Sequence, residues 1–344
     1  MEKVFKSNSA LDKIRTISMN PINWENPSNQ MKNLRQKSPE KTMVSLLKAC
    51  FALALLLFFN FRLNAQAVND SIIQKITKER AFYETLGKAY PPNSNVSVTE
   101  TLVSGVKCYW FNQNLLNKKE IIIYLHGGVY ALGSINSYRA LVSHLSGTLN
   151  APMLYVEYSL VPEKPFPAAN NEILKVYREI KKKYPNHKIT IIGDSAGGGL
   201  AVSLVHDIQV AKLPIPTSLA LISPWINLKC DNKSYVTKQA VDPVLSKKSL
   251  QEHAAYYAPN GIKEADPSEL KFNSFPPVFL LVGTDEVLND DAKNFYAFIK
   301  PVQKESKLKE YQGQKHVWLI SSIQSKESVE AMKDIKDFLA ANTK

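Results

Sequence analysis

Along this chain, short uninterrupted apolar runs alternate with longer stretches in which apolar residues recur every three or four positions. Ile121–Leu125, Met153–Val156, Ile189–Ile192, Leu219–Ile222 and Val278–Val282 read as strands buried on both faces, as in a parallel sheet. Ser137–Leu149, Ala168–Lys183, Gly198–Ala211, Asp290–Ile299 and Val329–Ala340 carry helical spacing. Upstream, Ser71–Lys88 reads as an amphipathic helix, opened by Asn69-Asp70-Ser71 and closed near Gly87, with Pro91-Pro92 beyond it. Val96–Thr101 and Val106–Phe111 alternate apolar and polar residues around Ser104-Gly105, which predicts a hairpin, and Lys307–Tyr311 is a last strand-like run. Strands alternating with helices predict an α/β architecture: a doubly wound, mostly parallel sheet with helices on both faces. The stretch from Asn227 to Asn273 breaks the alternation, being polar with apolar islands, and is expected to insert as part of a lid.

The longest apolar run lies outside this pattern, at Ala49–Phe59, with Lys41 and Lys48 before it and Ala65-Gln66-Ala67 after it. A basic lead, a short apolar run and a small-residue cleavage site read as a secretory signal. The run is short for the roughly 20 residues of a bilayer span. The chain is therefore expected to be exported, periplasmic or secreted, with a leader over 1–67 and a folded body over 68–344. The alternative is an uncleaved anchor at about 44–61, the one segment through which a membrane would be met. Residues 1–42 are polar, Asn-rich and aperiodic. Translation is thus expected to start at Met31 or Met43, or else the segment forms a cytoplasmic tail on the anchor.

Export changes the reading of charge and cysteine. The formal net charge is +12, but residues 1–67 hold ten Lys/Arg against four Asp/Glu and supply half of it. The rest is mildly basic, and Lys181-Lys182-Lys183 fits a solvated helix face, which is too little for a nucleic-acid surface. Of three cysteines, Cys50 lies in the apolar run; Cys108 and Cys230 are open to one disulfide or two free thiols. No His-x-x-x-His or Cys-x-x-Cys spacing supports zinc, and no cofactor is implied.

The chemistry concentrates at Ile189-Thr190-Ile191-Ile192-Gly193-Asp194-Ser195-Ala196-Gly197-Gly198-Gly199-Leu200. Strand, glycine-dense turn and helix with Gly-x-Ser-x-Gly at the bend would present Ser195 as a nucleophile. Alone the motif is weak, arising by chance in roughly one chain of this length in ten. His126-Gly127-Gly128-Val129-Tyr130 follows the first strong strand, and a glycine pair there frees backbone N–H groups for an anionic intermediate. Six of the thirteen glycines fall in these two loops. Among six histidines, His144, His187, His206 and His253 fit structural or exposed positions, and His126 is tied to its glycine loop. His316 lies in a loop between the last strand-like run and the final helix, placed to reach Ser195 across the carboxyl edge of the sheet. The acid belongs to Gly283-Thr284-Asp285-Glu286-Val287-Leu288, where spacing alone does not separate Asp285 from Glu286.

Over about residues 95–340 the chain resembles the hormone-sensitive-lipase-like branch of α/β-hydrolase esterases. The likeness rests on His126-Gly127-Gly128-x-Tyr130, on Gly193-Asp194-Ser195-Ala196-Gly197-Gly198, on Tyr158-Ser159-Leu160-Val161-Pro162-Glu163-x-Pro165-x-Pro167-Ala168, and on Ser223-Pro224-Trp225. It implies an α/β-hydrolase fold with a helical cap drawn from about 68–95 and 227–273. It further implies Ser195 as nucleophile, His316 as base, and oxyanion N–H groups from Gly127, Gly128 and Ala196. The family's acid, an Asp two residues before a Leu, is replaced here by Glu286, and Val129 stands where a third glycine is frequent. The implied function is a serine esterase acting on a small-molecule substrate, a short-chain carboxylic ester or lactone, with the cap setting acyl size. The rival is a non-catalytic α/β-hydrolase-fold protein that binds a ligand. Such proteins are recognised by a lost triad member, whereas here serine, acid and histidine are all present.

Overall fold

Eight strands form one sheet in the order β1-β2-β4-β3-β5-β6-β7-β8 in this computed structural model, which describes residues 70–342 except Asn273. The strands are β1 Val98–Val103, β2 Val106–Phe111, β3 Glu120–Leu125, β4 Met153–Val156, β5 Lys188–Asp194, β6 Ser218–Ile222, β7 Val278–Gly283 and β8 Lys307–Tyr311. β1 and β2 form an antiparallel hairpin and β2 pairs antiparallel with β4; from β4 to β8 every pairing is parallel. The expectations for residues 1–67, including the apolar run and its cleavage site, lie outside the described residues.

Among the described residues, seven helices of eleven residues or more carry the connections, with single α-turns at Ser234–Thr237 and Trp318–Ser321. The seven are α1 (70–83), α2 Ile135–Leu149, α3 Ala168–Lys183, α4 Ala196–Val210, α5 Lys247–Tyr257, α6 Asn289–Ile299 and α7 Lys326–Asn342. The apolar runs divide between two cores because successive strand side chains point to opposite faces. In β3, Ile121, Ile123 and Leu125 join one cluster while Ile122 and Tyr124 join the other. The edge strand β8 is unlike its buried neighbours, exposing charged residues that discourage pairing with another chain.

Tertiary contacts moved several boundaries. The helix expected over Ser71–Lys88 ends at 83 and continues as a 3-10 turn, Glu84–Lys88. There the carboxylate of Glu84 accepts from the Ser134 hydroxyl at 2.8 Å, capturing the chain against the start of α2. β5 runs on through Gly193 and Asp194, and α4 begins at Ala196, so the bend between them is the single residue Ser195. The irregular 227–273 segment holds α5 and a single turn at Ser234–Thr237. It meets the other segment assigned to the cap, with Lys75 Nζ 2.5 Å from Glu252 and His253 Nε2 3.2 Å from Glu79.

Candidate active site

The bend at Ser195 has φ 50° and ψ −121°, a conformation that residues with a Cβ rarely adopt. It survives because both backbone groups are tied: the N–H donates to Ile222 C=O and the C=O accepts from Trp225 N–H, each at 2.9 Å. Close approach explains one glycine of the motif, since a Cβ on Gly197 would collide with the carbonyls of Leu125 and His126. Ser195 is 3% exposed.

Its hydroxyl lies 2.9 Å from His316 Nε2, and His316 Nδ1 lies 2.8 Å from Glu286 Oε2. The carboxylate can only accept, so Nδ1 carries the proton and Nε2 is left to accept from Ser195. Glu286 is wholly buried, and its other oxygen accepts from Ser223 Oγ at 2.8 Å and Gly283 N–H at 2.6 Å. Asp285, the alternative acid, turns the other way and pairs with Lys315 Nζ at 3.0 Å. That ammonium holds its carboxyl below the usual carboxylate range. The structure thus brings Ser195, His316 and Glu286 together and leaves Asp285 outside.

The glycine loop packs directly on the bend, where a Cβ on Gly127 would lie 2.9 Å from Ser195 Cβ. The oxyanion role implied for Gly127 needs correction. Its N–H is taken by Asp194 Oδ1 at 3.1 Å and the Tyr138 hydroxyl at 3.0 Å. Among the described residues, Gly128, Val129 and Ala196 keep buried N–H groups with no protein acceptor assigned. Gly128 has φ 106°, which suits glycine, but Val129 at φ 50° and Tyr130 at φ 62° are held in the left-handed region despite their side chains. Strain of this kind gathers where a loop must aim its backbone.

His126 is stacked between Tyr158, at 4.2 Å, and Tyr155, at 5.3 Å, and its Nδ1 sits 2.7 Å from Gly127 C=O. Burial lowers it from 6.5 to about 4, so it is a neutral support for the loop. His144, His187, His206 and His253 meet, respectively, Pro91 C=O, Leu116 C=O, Asp207 and Glu79, all away from Ser195. Cys108 and Cys230 are both free and buried, and burial pushes each thiol up to about 12.

Sequence reasoning missed Asp194, although it lies inside the nucleophile motif. It is fully buried and accepts from Tyr124 and Tyr138 hydroxyls, both at 2.8 Å, as well as from Gly127. Burial raises its carboxyl to about 6 against the opposing effect of those donors. Tyr83 of α1 extends the network, its hydroxyl 2.8 Å from that of Tyr138. Arg80, also on α1, donates to Ala131 C=O at the end of the glycine loop at 2.8 Å.

Residues 122–320 match the family model described as alpha/beta hydrolase fold. The chain is 38% identical over 176 residues to an acetyl-hydrolase of Streptomyces hygroscopicus, spanning 50% of this chain and 59% of that protein. It is 29% identical over 264 residues to an esterase of Acinetobacter venetianus, spanning 75% and 87%. Among solved structures, an esterase from the bacterial hormone-sensitive lipase family superposes with a TM-score of 0.74 at 28% identity, covering 78% of this chain and 92% of the other. An esterase/lipase from an uncultured bacterium gives 0.72 at 31% identity, covering 78% and 91%.

Proposed function

The chain belongs to the α/β-hydrolase family, in its hormone-sensitive-lipase-like esterase branch, and from that premise we propose that it is a serine hydrolase of short-chain carboxylic esters or lactones. The observation that carries the reading is the hydrogen-bonded file Ser195–His316–Glu286 beside unpaired backbone N–H groups. His316 Nε2 takes the Ser195 proton as Oγ attacks the ester carbonyl, and Glu286 balances the imidazolium that forms. The oxyanion is received by N–H groups of Gly128, Val129 and Ala196. Collapse expels the alcohol, which takes its proton from His316. Water, deprotonated by the same imidazole, then attacks the acyl-enzyme and releases the acid. The substrate is a small-molecule ester whose acyl size is set by the cap segments, about 68–95 and 227–273.

The test is turnover of p-nitrophenyl acetate, butyrate and octanoate by the full chain beside Ser195→Ala. The short esters should turn over fastest, and the variant should lose at least ~10³-fold. Equal, slow hydrolysis by both proteins would overturn the reading. Export belongs to the same proposal. Protein recovered from producing cells should begin just after Ala67; a retained Ala49–Phe59 run would favour the anchor instead.

A further inference from the structure

The turn after β6, Ile222-Ser223-Pro224-Trp225, bonds two members of the proposed triad, Ser195 and Glu286, and the residue next to the third, Val317. Ile222 and Trp225 hold the two backbone groups of Ser195. Between them, the wholly buried Ser223 donates its hydroxyl to Glu286 Oε1 at 2.8 Å. The same oxygen accepts the N–H of Val317, the residue after His316, at 3.1 Å. A hydroxyl has one proton to give, so with Val317 N–H arriving as donor that proton is directed to the carboxylate. Ser223 N–H is itself anchored on Leu281 C=O at 2.7 Å, fixing the turn to β7. Both Ser223, at φ 46°, and Val317, at φ 43°, occupy the left-handed region, so the arrangement is held against local preference.

Resting on the esterase reading above, we propose that Ser223 is a positioning residue for the reaction, registering the acid and the base-bearing loop on the turn that grips the nucleophile. A glutamate needs this more than an aspartate would, because its extra methylene adds a torsion that must be frozen for the carboxylate to meet Nδ1. Ser223 Oγ and Gly283 N–H fasten Oε1, which leaves Oε2 turned to His316. Removing the hydroxyl leaves one fastening, and it frees the Val317 N–H from its acceptor.

Ser223→Gly is the decisive variant in the full chain, because glycine suits φ 46° and only the hydroxymethyl group is lost. Ser223→Ala is made beside it to retain the Cβ. The readings are thermal unfolding, kcat and KM on p-nitrophenyl acetate, the pH profile of kcat/KM, and the rate at which a fluorophosphonate labels Ser195, followed by intact mass. Both variants should unfold within a few degrees of the parent. Their kcat and labelling rate should fall ~10–100-fold with KM changed less than about twofold. The loss in kcat/KM should hold across the pH profile, since the geometry of the acid and not its proton count is what changes. In a Glu286→Gln background, Ser223→Gly should cost clearly less than in the parent, only the Val317 fastening being left to lose. A Ser223→Gly rate within twofold of the parent, or an equal loss whatever stands at 286, would overturn the proposal. A parent that labels at Ser195 yet leaves esters intact sinks the esterase reading, and the labelling ratios still judge Ser223. A parent inert to both reagents overturns the two together.

Discussion

Two buried carboxylates flank Ser195 and are used in opposite ways. Asp194 receives only neutral donors, two tyrosine hydroxyls and the Gly127 N–H, and it serves to hold the glycine loop. Glu286 fastens one oxygen on Ser223 and Gly283 and turns the other to an imidazole that becomes positive when it takes the Ser195 proton. The supports also differ. The Asp194 network runs through Tyr138 to Tyr83 on α1. The acid loop is gripped by the 227–273 insertion, where Asp242 accepts Val287 N–H at 2.8 Å and Ser234 donates to Val287 C=O at 2.6 Å. A carboxylate that supports a frame is needed for its hydrogen-bond geometry; one that faces a working base is needed for its charge.

Neutralising each carboxylate while keeping its shape is the sharpest way to break that contrast. Glu286→Gln should lower kcat by ~10⁴-fold, because the imidazolium loses its counter-charge and the ring its fixed tautomer. Asp194→Asn should stay within about fivefold, since the amide oxygen still accepts from Gly127 and Tyr124 while Tyr138 accepts from the amide nitrogen. Losses of similar size from steady-state kinetics would erase the distinction.

Stability against pH sharpens the Asp194 side. Burial raises its folded-state value from 3.8 to about 6, so its contribution favours folding below about pH 4 and is lost as pH rises through 6. His126, lowered from 6.5 to about 4, opposes this: its contribution is present above about pH 6.5 and lost as pH falls through 4. Asp194→Asn removes only the first contribution. The variant should therefore gain on the parent between pH 4 and 7, by about 3 kcal/mol in unfolding free energy. Thermal unfolding followed by circular dichroism across that range checks it, and a pH-independent difference would mean that Asp194 does not titrate there. The smallest effect is expected from Asp285→Asn, which removes a partly exposed pair with Lys315 and should leave kcat within about twofold.

Much of the sheet was legible because a strand buried on both faces announces itself in four or five consecutive apolar residues. Ile121–Leu125 and Val278–Val282 lie within β3 and β7 almost to the residue. The end of α1 was not legible, since nothing local stops that helix at 83; the hydrogen bond from Ser134 to Glu84 joins residues 50 apart. Similar logic runs through the candidate site. Ser195 was marked by glycines on either side, and His316 by its place between the last strand and the last helix. Asp194 and Ser223 lay within quoted motifs yet carried no sign of their partners, which are 56–70 and 63–94 residues away.

The sequence by itself determined the order of strands and of the helices outside 227–273, the bend at Ser195 and the loop that bears His316, because periodicity and glycine placement act over a few residues. Only the tertiary structure turned Asp285 away from His316, and shifted the free N–H pair of the glycine loop from Gly127 and Gly128 to Gly128 and Val129. Neighbouring carboxylates and neighbouring amides are alike in composition and differ in direction. Direction is set by what packs against them: Lys315 draws Asp285 outward, Ser223 and Gly283 hold Glu286 inward, and the buried Asp194 claims the first amide of the glycine loop.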